Sequence, residues 1–433
     1  MERIMRILWF TNTPSLAAAA LDQPVVGGGW IESLERRIRN RPDVELAVAF
    51  CHGKGAGVHK FTDRGSTYYA LPNRQKGVAR FVNRHLNRSD DKDIVASCME
   101  VIADFKPDII NIFGTEKAFG LVAERTAIPV VIHLQGILTL YEKKWFPAGI
   151  NQFTLFRYSG LKPLLKANSL LHHYYAFKQA AIREQKIFRI NKYFMGRTDW
   201  DRRAAQTMSP GSSYFISHEI LRDEFYTGAW NKKALPARTF ISTIQANIFK
   251  GLETVLECAA LLKALNEFEF KWIIAGTTPD EKIVRLFEDR TGVKCKDVNI
   301  VLEGRLNARE LLRKELGSDI FIHPSHIDNS PNSVCEAMLL GMPVIATASG
   351  GTSSLLTDRE EGLLIQDGDA YAMAGAILDL TRDPHYAGML GQNARKRATR
   401  RHAPEEIAGQ VMDIYTEILR KRPAPAIRSV AAL

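Results

Sequence analysis

Cysteine is scarce in this chain and never arranged for a shared task. Cys51, Cys98, Cys258, Cys295 and Cys335 are spread over 433 residues with no C-x-x-C spacing. That excludes a disulfide scaffold and a cysteine-ligated zinc site, and it fits a reducing cytoplasm. Long apolar runs are missing too. No window reaches the roughly eighteen residues of a membrane span, and the apolar part of MERIMRILWF gives way to TNTP too soon for a secretory leader. It reads as a first strand. The dinucleotide fingerprint G-x-G-x-x-G is absent, as is any nucleic-acid recognition motif, so no nucleic-acid partner is expected. Acidic residues are fewer than basic ones, 48 against 58, for a net charge of +10. This suits an anionic substrate or a membrane surface and does not choose between them.

What remains is ordinary globular material, 45% hydrophobic and 24% charged, long enough for two or three domains. Strand patterns over residues 6–10, 44–51, 67–71, 108–113, 129–132 and 191–196 alternate with helical ones, and a second series begins at residues 238–244. Such alternation predicts parallel, doubly wound α/β sheets with ligand contacts at the carboxyl ends of the strands. The expected division is residues 1–220, residues 221–403, and a last helix with a loose tail over 404–433. Residues 218–226, HEILRDEFY, read as the hinge.

The most informative stretch runs from His323 to Gly351, HPSHIDNSPNSVCEAMLLGMPVIATASGG. It predicts strand, polar loop, helix and strand. Pro331 suits a first helical turn, with Ser330 or Asn329 as the cap, and Gly341 ends the helix. Its start, at Pro331, Asn332 and Ser333, offers unpaired N–H groups and a partial positive charge to a phosphate. Glu336 lies within the first two turns, where a carboxylate can accept hydrogen bonds from two ribose hydroxyls or simply complement the helix dipole.

Asp328, seven intervening residues and Glu336 resemble the acid-x7-Glu signature of retaining nucleotide-sugar glycosyltransferases of the family-4 (group 1) type, which have the GT-B fold. GMPVIATASGG also looks like that family. The resemblance implies two Rossmann-like domains facing across a cleft, with the C-terminal helix crossing back to the first. It implies that Glu336 holds the donor ribose and that Asp328, where Glu is more usual, contacts the transferred sugar. His133, at the end of a strand, coincides with the family histidine that points at the donor sugar. Lys250-Gly251 matches the diphosphate-binding lysine, whereas Gln245 stands where the family has arginine. The turn at Gly27-Gly28-Gly29 resembles the glycine-rich loop facing the cleft, so Gly28 and Gly29 are candidates. Arg305 follows a strand tip that seats the nucleobase, and Arg197 either faces the cleft or pairs with Asp201.

The implied activity is transfer of a sugar from a nucleoside diphosphate sugar to a glycan or lipid-linked acceptor, with no metal and no cofactor. A nucleotide-sugar epimerase and a non-catalytic binder of polyanions or lipid surfaces are the alternatives. Residues 140–192 are aromatic and basic. Two readings compete there: peripheral contact with the inner face of a membrane, or an insertion packed into a core with a solvated basic face. Asp367-Gly368-Asp369 follows a strand and reads as a polar turn.

Overall fold

Two sheets follow one another along the chain in the computed structural model, which describes residues 4–21, 29–52, 57–72, 85, 90–147, 149–231 and 237–421. The first contains β1 (Met5–Thr11), β2 (Val44–His52), β3 (His59–Asp63), β4 (Ser66–Pro72), β5 (Ile109–Phe113), β6 (Val130–His133), β7 (Tyr193–Gly196) and β8 (Ser213–Ile216), in the order β3-β4-β2-β1-β5-β6-β7-β8. The second contains β9 (Arg238–Thr243), β10 (Phe270–Ala275), β11 (Ile300–Gly304), β12 (Ile320–His323), β13 (Val344–Thr347) and β14 (Leu363–Ile365), in the order β11-β10-β9-β12-β13-β14. Among the described residues, only the β3–β4 pair is antiparallel.

That antiparallel edge strand was not anticipated from sequence. Its two-residue turn has positive φ at Arg64 and Gly65, as tight hairpin turns require, and its half-polar string HKFTD suits an edge. Central strands are apolar throughout because helices cover both faces. In β1, Ile7 and Trp9 enter one core layer while Leu8 and Phe10 enter the other.

Helices α1 (Gly29–Ile38), α2 (Asp91–Phe105), α3 (Leu138–Lys143), α4 (Gln152–Ser159), α5 (Leu161–Leu165), α6 (Leu170–Ile190) and α7 (Asp199–Met208) belong to the first part. Then α8 (Asp223–Thr227) joins the sheets. The second part has α9 (Leu252–Leu265), α10 (Lys282–Thr291), α11 (Ala308–Leu316), α12 (Asn332–Leu340), α13 (Ala370–Arg382) and α14 (Pro384–Arg401). The last helix, α15 (Pro404–Arg420), returns to the first sheet. There Val411, Ile414, Tyr415 and Ile418 share a core with Ile7 and Trp9, and Trp9 Nε1 donates to Tyr415 Oη at 3.1 Å.

The winding direction reverses between β1 and β5 in one sheet and between β9 and β12 in the other. Loops at such switch points leave neighbouring strands in opposite directions and open a crevice at the carboxyl ends. In the second sheet those loops are the ones after Thr243 and after His323.

Candidate functional site

The loop after β9 and the loop after β12 interlock. Ser325 Oγ and His326 N both donate to the Phe249 carbonyl, at 3.1 and 2.9 Å. Gly251 has φ +76°, and a Cβ there would strike the Pro324 carbonyl, so only glycine lets the loops approach this closely. The approach sets Lys250 Nζ 2.5 Å from Asp328 Oδ2. Asp328 Oδ1 accepts from Tyr141 Oη at 3.2 Å and from its neighbour's amide, Asn329 N, at 3.1 Å. Burial alone would raise the Asp328 carboxyl, but Lys250 and then His323 bring it below its ordinary range. Burial lowers His323 to about 4, which leaves the imidazole neutral at pH 7. Its Nε2 lies 3.6 Å from Asp328 Oδ2 without a hydrogen bond.

The start of α12 differs from expectation. Neither Ser330 nor Asn329 caps it: Pro331 is itself the cap residue, with φ −65° and ψ 113°, and no side chain satisfies the first turn. Both polar side chains have partners elsewhere. Ser330 donates to Glu219. Asn329 Nδ2 donates to Asp201 Oδ2 at 2.7 Å, while Asn329 Oδ1 accepts from Thr198 Oγ1 at 2.6 Å. Asn329 thereby ties the loop to the first domain, and Asn332 and Ser333 stay half-buried at an uncapped helix mouth. Gly351 N adds a bond of 2.8 Å to the Asp328 carbonyl.

Glu336 is 2% exposed. It is the only charged residue on the helix NSVCEAMLL, whose other residues after Ser333 are apolar, and a buried carboxylate there needs a cation. Arg222 supplies it through two parallel bonds of 2.7 Å from Nε and Nη2. Burial pushes the Glu336 carboxyl up while the guanidinium pulls it down. Arg222 also crosses to the first domain: a Cβ on Gly29 would lie 2.9 Å from its Cγ. The sequence reading missed Arg222; the signal was the lone basic residue in HEILRDEFY. Glu315 on α11 is fully buried with neither oxygen hydrogen-bonded. Burial, reinforced by Glu336, raises its pKa well above the ordinary range, against the pull of Arg222.

His133 does not line an open cleft. It is fully buried, with its ring 5.0 Å from that of Trp30 and 5.3 Å from that of Phe113. Burial and then Arg197 lower it to about 3. Arg197 is also buried, and only its backbone N–H pairs with Asp201. Its guanidinium lies 4.0 Å above the Trp30 ring, and its Nε is 3.8 Å from Glu219 Oε2. Asp201 is occupied by the backbone N–H groups of Arg197 and Thr198, because it completes the Thr198 capping box of α7. Gln245 and Arg305 are exposed at strand tips. Gly28 lies outside the described residues.

Glu219, Cys335 and His402 come within 4.8 Å of one another in the buried junction. Arg197 beside the carboxylate, and Arg401 donating to the Arg197 carbonyl at 2.7 Å, supply positive charge there and disfavour a metal ion. In the Asp-Gly-Asp turn, Asp369 caps α13 through Ala372 N at 2.8 Å. Asp367 lies 3.5 Å from Lys144 Nζ.

Residues 231–397 match the sequence model of the family described as Glycosyl transferases group 1. Among curated relatives, the D-inositol 3-phosphate glycosyltransferase of Xylanimonas cellulosilytica is 32% identical over 192 residues, 44% of each chain. The match thus spans less than half the length of that relative. Among solved structures, the sucrose-phosphate synthase of Thermosynechococcus elongatus superposes with a TM-score of 0.71 at 14% identity, covering 96% of this chain and 99% of the other. Anabaena HepE in complex with UDP-glucose gives a TM-score of 0.61 at 16% identity over 95% and 100%. The fold is GT-B. Among the described residues, no helix is long and apolar enough to cross a membrane.

Proposed function

We propose that this chain is a retaining, metal-independent glycosyltransferase of the family-4 type. It moves a sugar from a nucleoside diphosphate sugar to a glycan or lipid-linked acceptor in polysaccharide or glycoconjugate synthesis, in the cytoplasm at the inner face of a membrane. One observation carries the reading: Lys250 and Asp328 meet at 2.5 Å at the switch point of the second sheet, beside an uncapped helix start. An amino group and unpaired helix N–H groups together suit a diphosphate, and their preorganised charge favours its departure.

In this reading Lys250 and the Asn332–Ser333 turn hold the phosphates, and Lys250 exchanges part of its bond to Asp328 for them. Asp328 orients the sugar hydroxyls. Glu336 receives the ribose through the lone pairs that Arg222 leaves free. Arg222, whose stem lies beside Gly29, stays on Glu336 and fixes the orientation of that carboxylate. His133 acts as a neutral group beneath Trp30 and Arg197, and the leaving phosphate takes the acceptor proton.

A thermal-shift panel of UDP-, GDP- and ADP-sugars tests the donor site, followed by transfer assays in EDTA with NMR of the anomeric proton. One nucleoside class should raise the melting temperature, and transfer should persist with configuration retained. No shift with any donor contradicts the reading. Donor conversion that needs no acceptor indicates an epimerase instead.

A further inference from the structure

The aromatic and basic segment over 140–192 divides into two parts. Trp145, Phe146, Tyr174 and Phe177 turn inward onto the second domain, with the Trp145 and Phe249 rings 5.3 Å apart. That part is an insertion packed into a core. The helices α4 and α5 behave otherwise. Phe153, Phe156, Leu161 and Leu165 are 72%, 52%, 75% and 62% exposed, an unusual concentration for a surface with nothing to bind.

Helical spacing sorts the residues. Phe153, Phe156 and Arg157 share the outer face of α4, while Leu155 and Ser159 are buried on the inner one. On α5, Leu161 and Leu165 stack one turn apart beside exposed Lys162 and Lys166. No Asp or Glu occurs between Glu142 and Glu184. The inner face is anchored: Tyr158 Oη donates to Asp289 Oδ2 at 3.0 Å, and Lys282 Nζ donates to the Ser159 carbonyl. The outer face is therefore held out on a firm mount that joins both domains.

The charge decides which partner fits. A second copy of this chain would bring the same basic rim against itself. An anionic bilayer offers phosphates to the rim and a headgroup boundary to the apolar face, the combination that interfacial helices use. We infer that α4 and α5 dock on an anionic lipid bilayer. Phe153, Phe156, Leu161 and Leu165 enter the headgroup boundary, and Arg157, Lys162 and Lys166 meet lipid phosphates. Because the mount rests on α10 of the second domain, docking fixes the cleft relative to the surface and presents it to a lipid-borne acceptor.

Co-sedimentation of the full chain with phosphatidylcholine vesicles, with and without phosphatidylglycerol, tests this. Binding should require phosphatidylglycerol and fall with salt. The triple change Arg157→Glu, Lys162→Glu, Lys166→Glu should weaken it roughly a hundredfold or more, at about tenfold or less per basic residue removed. Phe153→Ser with Leu161→Ser should weaken it independently, whereas Lys271→Glu on β10 should not. Equal binding to both vesicles, or none, overturns the inference. So does a concentration-dependent dimer that Phe153→Ser abolishes, since the surface would then belong to a second copy. The donor-induced melting shift, measured on the same variants, should be unchanged. It verifies folding and separates failure here from failure of the glycosyltransferase reading.

Discussion

Asp328 and Glu336 lie on one loop and helix, yet they are neutralised in different ways. Asp328 meets Lys250 from a neighbouring loop of the same sheet, and its carboxyl is held below the ordinary range. Glu336 meets Arg222 from the connection between the sheets, under burial that pushes its carboxyl upward. The first pocket thus takes its cation from within the second domain, and Tyr141 of the first part adds a neutral bond of 3.2 Å to it. The second borrows the cation itself from the connection between the sheets, a segment that also touches Gly29 of the first domain, so its charge balance depends on the relation between the domains.

The widest separation between the pockets should appear on removing their cations. Arg222→Met leaves Glu336 buried and unpaired, and should cost about 3–5 kcal/mol of stability by urea unfolding. A Glu336→Gln change added to it should recover part of that loss. A single-variant loss near zero would mean that the two bonds contribute nothing. Lys250→Ala should instead act on turnover, costing on the order of 3 kcal/mol in the transition state, roughly a hundredfold in kcat. Its effect on stability should be smaller, because Asp328 keeps Tyr141 and the Asn329 amide.

Titration separates the pockets next, by sign. Folding lowers the pKa of Asp328, so its contribution is present above the ordinary carboxyl range and is lost as pH falls. His323, lowered to about 4, acts in the same direction between its unfolded value near 6.5 and about 4. Glu336 is raised on folding, so its contribution is complete at low pH and is lost as pH rises through the folded value. Stability followed against pH should therefore lose part of its acid-side decline in Asp328→Asn and keep that decline in Glu336→Gln. Equal flattening in both would erase the distinction. The smallest effect belongs to Thr198→Ala, which removes the α7 cap and one bond to Asn329 for about 1 kcal/mol. It should shift unfolding slightly and leave the Lys250 pocket unchanged.

Much of the first pocket was legible in the sequence because its parts are local. Lys250 precedes a glycine after a strand and Asp328 lies in the loop after another, each within a short motif that resembles the family's, whereas their pairing follows from the adjacency of β9 and β12, which the sequence reading did not predict. Glu336 was legible as a residue but not as half of an ion pair, since Arg222 is 114 positions away and no local pattern links them. The cap of α12 was misassigned for a similar reason. Ser330 and Asn329 have the right chemistry for a cap, but Glu219, Thr198 and Asp201 compete for them from the other domain. His133 was placed at a strand end correctly, yet the strand end alone could not reveal that Trp30 and Arg197 close over it. The short edge strand β3 escaped because its half-exposed pattern lacks the apolar run that marked its neighbours.

Calorimetric titration with the nucleoside diphosphate sugar chosen by the donor panel, on wild type, Lys250→Ala and Glu336→Gln, tests the central claim most directly. The account predicts that both variants lose donor affinity. Glu336→Gln should lose roughly tenfold to a hundredfold, as expected for charge-assisted hydrogen bonds, and Lys250→Ala should also weaken binding of the bare nucleoside diphosphate. Wild-type affinity in both variants would contradict it, because the diphosphate and the ribose would then rest somewhere else.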